Sequence, residues 1–192
     1  SAASDVYKRQ GQLEINFSHG NALDLADRVF LFKRTVRETA LRHGIFATFM
    51  AKPMENEPGS AMHIHQSILD VATGQNIFSD ADGSVTPHFR HFIAGQQRYV
   101  PQVMPMLAPY VNSYRRLSRY MSAPINVQWG YDNRTCGIRV PESDPANRRL
   151  ENRVPGVDVN PYLAMAATLA CGYLGLVEKR QPTEPMKSSA CL

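Results

Sequence analysis

Cysteine is scarce in this chain and badly spaced for either of its structural uses. Cys136, Cys171 and Cys191 are an odd number with no metal-ligand spacing. That excludes a disulfide framework and leads to the expectation of a reducing, cytoplasmic compartment. Long apolar runs are missing too. No window approaches the roughly 20 residues of a membrane span, and the N-terminus has no apolar signal core. No run of five lysines or arginines occurs and the formal net charge is only +4, which argues against a nucleic-acid tail. A Gly-x-x-x-x-Gly-Lys loop is absent, so a nucleotide site of that type is excluded. There is no internal repeat. An initiator Met is also lacking, and the expectation is a part of a longer chain.

What remains is ordinary globular material with unusual arginines. The 192 residues suffice for one domain with a sizeable core, and hydrophobic and charged contents of 43% and 20% are typical. Arg115, Arg116, Arg119, Arg134, Arg139, Arg148, Arg149 and Arg153 supply most of the clustered positive charge. Guanidinium forks fit carboxylates and phosphates, so a small anionic ligand explains this set as well as a nucleic acid would.

Residues 1–10 are polar and without period. From Gly11 the pattern changes: Leu13, Ile15 and Phe17 alternate with Gln12, Glu14 and Asn16, a half-buried strand with a carboxylate on its polar face. Asn21 or Asp24 opens a long amphipathic helix that Gly44 stops, and Phe46 to Met50 reads as a short apolar strand. Thr73-Gly74 and Asp82-Gly83 mark turns, with Asp80 and Asp82 as turn formers. A helix is predicted from about Pro87 to Tyr99. Pro101, Pro105 and Pro109 break whatever helix follows. Loops and short strands are expected from Tyr110 to Pro141, then a strand from Asn147 to Val154 carrying Arg149, Glu151 and Arg153 on one face. Asn160-Pro161 is a strong helix start, and that helix runs to about Glu178. Trp129 and the tyrosines are read as core or loop packing, Cys136 as a small buried hydrophobe, and Met104, Met106 and Met165 as core. Hairpins outnumber βαβ units, so the fold class is α+β with a mainly antiparallel sheet.

The densest chemistry lies in Gly59-Ser60-Ala61-Met62-His63-Ile64-His65-Gln66-Ser67. As a strand it puts His63, His65 and Ser67 on one face. Alone, this run fits either a surface strand with solvated histidines or a metal-and-phosphate site. Its neighbours add Glu14, Glu151 and Arg153 on similar polar faces. Carboxylate and imidazole together suit a divalent cation. Arginines beside that cation make sense if it carries phosphates, the arrangement of metal-assisted phosphoryl transfer.

These residues resemble the catalytic domain of the glutamine synthetase family. The matching blocks are Gly11-Gln-Leu-Glu14, Lys52-Pro53, Gly59 to Ser67, Asn112-Ser-Tyr-Arg-Arg116-Leu, Ala123-Pro124, Asn133-Arg134 with Arg139-Val-Pro141, Arg149-Leu-Glu151-Asn-Arg153 and Asn160-Pro-Tyr-Leu163. They occur in family order over roughly residues 11–177. The resemblance implies a partial catalytic half-barrel over residues 11–192 with flanking helices, and leaves residues 1–10 as unmatched, foreign sequence. It implies Glu14 as a ligand of one divalent cation, Mg²⁺ or Mn²⁺, and His63 and Glu151 as ligands of another. His65 and Ser67 resemble nucleotide contacts, and Arg134 and Arg139 the arginines on the phosphates of ATP and the transferring phosphoryl group. Arg116 matches the arginine that binds the amino acid's carboxylate, Gly59 lies in the loop that contacts this substrate, and Arg153 matches a residue near its side-chain carboxylate. The implied reaction activates the γ-carboxylate of glutamate as an acyl phosphate, which an amine then converts to an amide. No nucleic acid or membrane is implied as partner. A double-ring homo-oligomer is.

Three departures qualify the match. Ammonia-using members carry a glutamate before the Ala-Pro pair, where this chain has Ser122. They carry an asparagine before the substrate-loop glycine, where it has Pro58. Both departures resemble the branch that joins glutamate to organic amines, the γ-glutamylputrescine and γ-glutamylpolyamine synthetases, with ammonia-using glutamine synthetase as the alternative. The third is Val6, where a metal-binding glutamate is expected eight residues before Glu14. It supports the further alternative of an inactive fragment or non-catalytic relative.

Overall fold

The structure is a computed structural model that describes residues 3–6, 11–118 and 123–190. It divides into two compact units, residues 1–47 and 48–192.

In the first unit, strand β1 (Ala3–Val6) pairs antiparallel with β2 (Leu13–Asn16), Asp5 opposite Glu14. β2 is the strand the alternation predicts. β1 arises in a segment whose composition shows no period. Helix α1 (Ala22–Arg42) starts where Asn21 accepts a hydrogen bond from the Leu23 N–H at 2.9 Å. Gly44, at φ +67°, leaves it in the left-handed region. The strand predicted over Phe46–Met50 does not form, and Phe46 is exposed. Apolar composition favours a strand only where a neighbouring strand takes its N–H and C=O groups, and no such ladder exists there.

The second unit packs two helices on a sheet. Helix α2 (Pro87–Tyr99) is capped by Thr86, whose Oγ1 accepts from the Phe89 N–H at 3.2 Å. Helix α5 (Pro161–Val177) is capped by Asn160, which accepts from Tyr162 and Leu163. In both, proline holds the first helical position. The helices touch at glycines: a Cβ on Gly95 would lie 2.2 Å from the Cys171 carbonyl oxygen and 2.8 Å from Gly175 Cα. After α2 the chain breaks into a 3₁₀ turn (Val100–Val103) and the short helix α3 (Met104–Leu107), each with proline near its start. Helix α4 (Val111–Arg116) then replaces the loop predicted there. Its first turn closes because the Tyr110 N–H donates to Ser113 Oγ at 3.0 Å while the Ser113 N–H returns to the Tyr110 carbonyl.

The sheet holds β3 (Ile64–Gln66), β4 (Trp129–Tyr131), β5 (Ile138–Val140) and β6 (Leu150–Asn152), in the order β3-β6-β5-β4. β3–β6 and β6–β5 are antiparallel, but β5–β4 is parallel. The α+β class therefore holds, while the sheet is mixed. β4 is followed by Asp132, a non-glycine residue at φ +47° whose N–H bonds the Val140 carbonyl. The last strand is shorter than predicted because Pro145–Asn147 forms a 3₁₀ turn.

Phe78, Phe89, Phe92, Ile93, Trp129, Ile138 and Leu150 form the main core between sheet and helices. Cys136 is buried as expected, and Met104 and Met165 pack against a second cluster. Met106 is exposed, contrary to the core reading, because the four-residue α3 turns it outward; Tyr110, Tyr114, Tyr131 and Tyr173 are exposed as well. The predicted turns stand at Gly74 (φ +67°) and Gly83 (φ +83°), the latter with Asp82 accepting from the Ser84 N–H. No helix among the described residues is long and apolar enough to cross a membrane.

Candidate functional site

Strand register builds a site on the sheet face turned away from the core. Gly130 lies opposite Arg139, Arg139 opposite Glu151, and Glu151 opposite His65, one row across four strands. Because strand side chains alternate, this row is polar while Ile64, Ile138 and Leu150 point into the core.

Glu151 is the centre of the row. It is a carboxylate only 2% exposed, yet four cationic or imidazole groups reach it. Arg139 Nη1 lies 2.8 Å from Oε2, Arg153 Nη1 2.8 Å from Oε1, His63 Nδ1 3.1 Å from Oε1 and His65 Nε2 3.8 Å from Oε1. Burial alone would raise its pKa. The His63 hydrogen bond, the Arg153 charge and the Arg139 bond prevail, and hold it well below the ordinary carboxylate range. Burial lowers the pKa of both His63 and His65, with Arg153 adding to the effect at His63 and Arg149 at His65. Arg149 Nε also approaches His65 Nδ1 at 3.3 Å, where the ring nitrogen accepts. Arg139 is held on its other side by Asp132, so its fork spans two carboxylates. Bonds to Glu151 and Asp132 outweigh burial and raise its pKa.

A second group of residues adjoins through Arg153. Arg116, at the end of α4, is 3% exposed. Its Nη1 donates to the Val154 carbonyl at 2.8 Å and its Nη2 to the Arg153 carbonyl at 3.0 Å. Burial and the nearby Arg153 charge lower its pKa to about 10, against the opposing pull of Asp158. Gly59 lies against it: a Cβ there would meet the Ala51 carbonyl oxygen at 2.6 Å and Arg116 Cγ at 2.8 Å. The loop carrying Pro58 and Gly59 is fixed at its base. Lys52 N–H donates to Asn112 Oδ1 at 2.9 Å, Asn112 Nδ2 returns to the Lys52 carbonyl at 2.8 Å, and Ser60 N–H bonds the Ala51 carbonyl at 2.8 Å.

The structure thus brings together His63, His65, Arg139, Glu151 and Arg153, with Gly59 and Arg116 alongside. Ser67 lies exposed just past β3 and Arg134 exposed in the loop after β4. Glu14 lies exposed on β2 in the other unit. Ser122 falls outside the described residues. Asp132, Ser113 and Asp158 were not singled out by sequence as site residues. Nothing in their spacing marks Asp132 as the second carboxylate on Arg139, or the 2.6 Å bond from Ser113 Oγ to Asp158.

The donor chemistry around Glu151 suits a divalent cation in part. An ionised carboxylate and an imidazole kept neutral by burial are both ligands. Among the described residues, however, no group of three His, Cys, Asp or Glu side chains is arranged to hold a metal ion. His63 and Glu151 therefore supply two donors, and a metal ion held there would need others. Arg139 and Arg153 contact this buried carboxylate, Arg116 bonds the Arg153 main chain beside it, and Arg149 and Arg134 act on His65 and Asp132. These five guanidiniums face three carboxylates, Glu151, Asp132 and Asp158, so the site carries surplus positive charge and is suited to anions.

Comparison with known proteins gives concordant results. A family model described as glutamine synthetase, catalytic domain, matches residues 3–191. The chain is 47% identical over 161 residues to γ-glutamylputrescine synthetase PuuA of Escherichia coli, covering 83% of this chain and 34% of that one. It is 41% identical over 171 residues to type-1 glutamine synthetase 2 of Dictyostelium discoideum, covering 88% and 33%. A solved structure of apo GmaS without ligand superposes with a TM-score of 0.86 at 34% identity, over 97% of this chain and 43% of that one. The chain thus spans about a third of the length of the curated relatives it matches.

Proposed function

The chain belongs to the glutamine synthetase catalytic-domain family, and from that premise we propose that it is the core of an ATP-dependent ligase joining the γ-carboxylate of glutamate to an organic amine. The observation that carries the reading is the excess of guanidinium over carboxylate charge in and beside the Glu151 row. ATP phosphates, a developing acyl phosphate and an amino-acid carboxylate are the anions such a surplus would serve.

In the first step a γ-carboxylate oxygen bonds to the γ-phosphorus of ATP as the bond to ADP breaks. In the second the amine nitrogen attacks the acyl carbon, phosphate leaves, and the nitrogen loses a proton. Arg116 holds the α-carboxylate, with Gly59 leaving room beside it. Arg153 orients the γ-carboxylate. Arg134 and Arg139 bind the phosphates and the moving phosphoryl group, while His65 and Ser67 contact the nucleotide. His63 and Glu151 would hold one Mg²⁺ or Mn²⁺, and Glu14 another; the cations supply charge neutralisation on the phosphates. Deprotonated Glu151 and neutral His63 are the forms such binding needs.

An organic amine is favoured over ammonia by Ser122 and Pro58, and by the 47% identity to a γ-glutamylputrescine synthetase. A serine hydroxyl is a poor base and counter-ion for ammonium. Proline offers neither a side-chain amide nor an N–H. The 41% identity to a glutamine synthetase supports ammonia as the alternative. Cytoplasmic location and a double-ring oligomer belong to the same proposal. Phosphate release by the protein carrying this chain, with glutamate, ATP and either ammonia, putrescine or another alkyl amine, tests it. Turnover with an amine and little with ammonia is expected; the reverse would overturn the choice of amine.

A further inference from the structure

The segment after α5 has no regular structure, yet it is bound at closely spaced points to the turn that carries Arg134. Trp129 Nε1 donates to the Thr183 carbonyl at 2.8 Å, and the Met186 N–H donates to the Trp129 carbonyl at 2.8 Å. Asn133 Nδ2 donates to the Ser188 carbonyl at 2.9 Å and to that of Met186 at 3.3 Å. The Ala190 N–H donates to Thr135 Oγ1 at 2.8 Å. The same Thr135 hydroxyl gives its proton to Asn133 Oδ1 at 2.6 Å. Both neighbours of Arg134 are therefore tied to one strap, residues 183–190, and to each other. Gly130 is part of the fit, since a Cβ there would lie 2.7 Å from the Met186 carbonyl oxygen and 3.0 Å from Asn133 Cβ.

We infer that Asn133 and Thr135 are positioning residues, and that through them the strap fixes the backbone of Arg134 so that this exposed arginine meets an anion from a set place. The inference rests on the phosphate-binding role proposed above for Arg134. Its physical basis is that small displacements of a charge-stabilising group are costly, on the order of a hundredfold for about 1 Å. The strap supplies what the turn lacks, because no ladder bond covers Asn133 to Thr135.

The test uses two buried thiols as local reporters in the protein carrying this chain. Cys136 closes the Arg134 turn, its N–H bonding the Asn133 carbonyl at 3.3 Å, while Cys171 lies in α5. T135V and N133A are compared with wild type and with T135S, which keeps the hydroxyl. Native iodoacetamide labelling is mapped by peptide mass, and KM is measured for ATP and glutamate. In T135V and N133A, Cys136 is expected to label about tenfold faster while Cys171 stays protected, and KM for ATP to rise about tenfold with that for glutamate nearly constant. T135S restores wild-type behaviour. Protection of Cys136 in both variants, labelling of both cysteines together, or equal rises in the two KM values would overturn the inference. If wild type turns over no amine and no ammonia, the ligase reading fails, while the labelling still decides whether the strap holds the turn.

Discussion

Two arginines in this molecule are held in opposite ways. Arg116 is buried, and its own guanidinium is pinned to the Val154 and Arg153 carbonyls. Arg134 is exposed, and the pinning falls on its neighbours Asn133 and Thr135. A buried guanidinium must have its donors satisfied, so the fold spends main-chain carbonyls on it and fixes the side chain. An exposed one is satisfied by water, so only its backbone can be fixed and its side chain stays available. The first arrangement suits a small ligand that is always bound the same way. The second suits a group that follows charge moving along a reaction path.

The largest expected effect removes the residue between the two regions. Glu151→Gln strips the carboxylate from Arg139 and Arg153 together. Loss of one partner from a buried ion-pair cluster is expected to cost about 3 kcal/mol in urea unfolding, and turnover is expected to fall by about a thousandfold.

Next, the arginines can be exchanged for lysine. Arg116→Lys loses the fork to two carbonyls and is expected to cost about 2 kcal/mol of stability as well as glutamate affinity. Arg134→Lys is expected to leave stability within about 0.5 kcal/mol of wild type and to weaken ATP alone. Equal losses of stability would break the comparison. Smaller still is Gly59→Ala, where the new Cβ displaces Arg116 Cγ or the Ala51 carbonyl. KM for glutamate is expected to rise about tenfold, whereas Gly20→Ala, with nothing within 4 Å, is silent.

The mildest probe is pH. The Glu151 pKa in the folded chain lies far below its ordinary 4.5, so the unfolded chain takes up its proton first as pH falls. The stability that Glu151 contributes is complete above that ordinary value and is lost progressively below it. Urea midpoints should therefore be flatter below pH 5 in Glu151→Gln than in wild type.

Local rules made much of this legible from sequence. Alternation placed His63 and His65 on one exposed face, and the Asn160-Pro161 pair marked the start of α5, whereas the Thr86 cap of α2 emerged only in the structure. Glu151 was assignable to a polar face, but its burial was not, because the groups that cover it come from β3, β5 and its own flank. Helix α4 escaped because six residues give too short a period, and its start depends on a serine at the third position rather than on a usual N-cap. The strap escaped for a different reason: side chains bonding main-chain groups some 55 residues away leave no periodic trace. The parallel β4–β5 pair likewise escaped, because strands this short carry no sign of their pairing direction.

The central claim is that the γ-carboxylate of glutamate is activated by phosphorylation before an amine attacks. Glutamate labelled with ¹⁸O in the γ-carboxylate, supplied with ATP and putrescine to the protein carrying this chain, tests it directly. The account predicts that each phosphate released carries one oxygen from that carboxylate. Unlabelled phosphate formed together with the amide would contradict it.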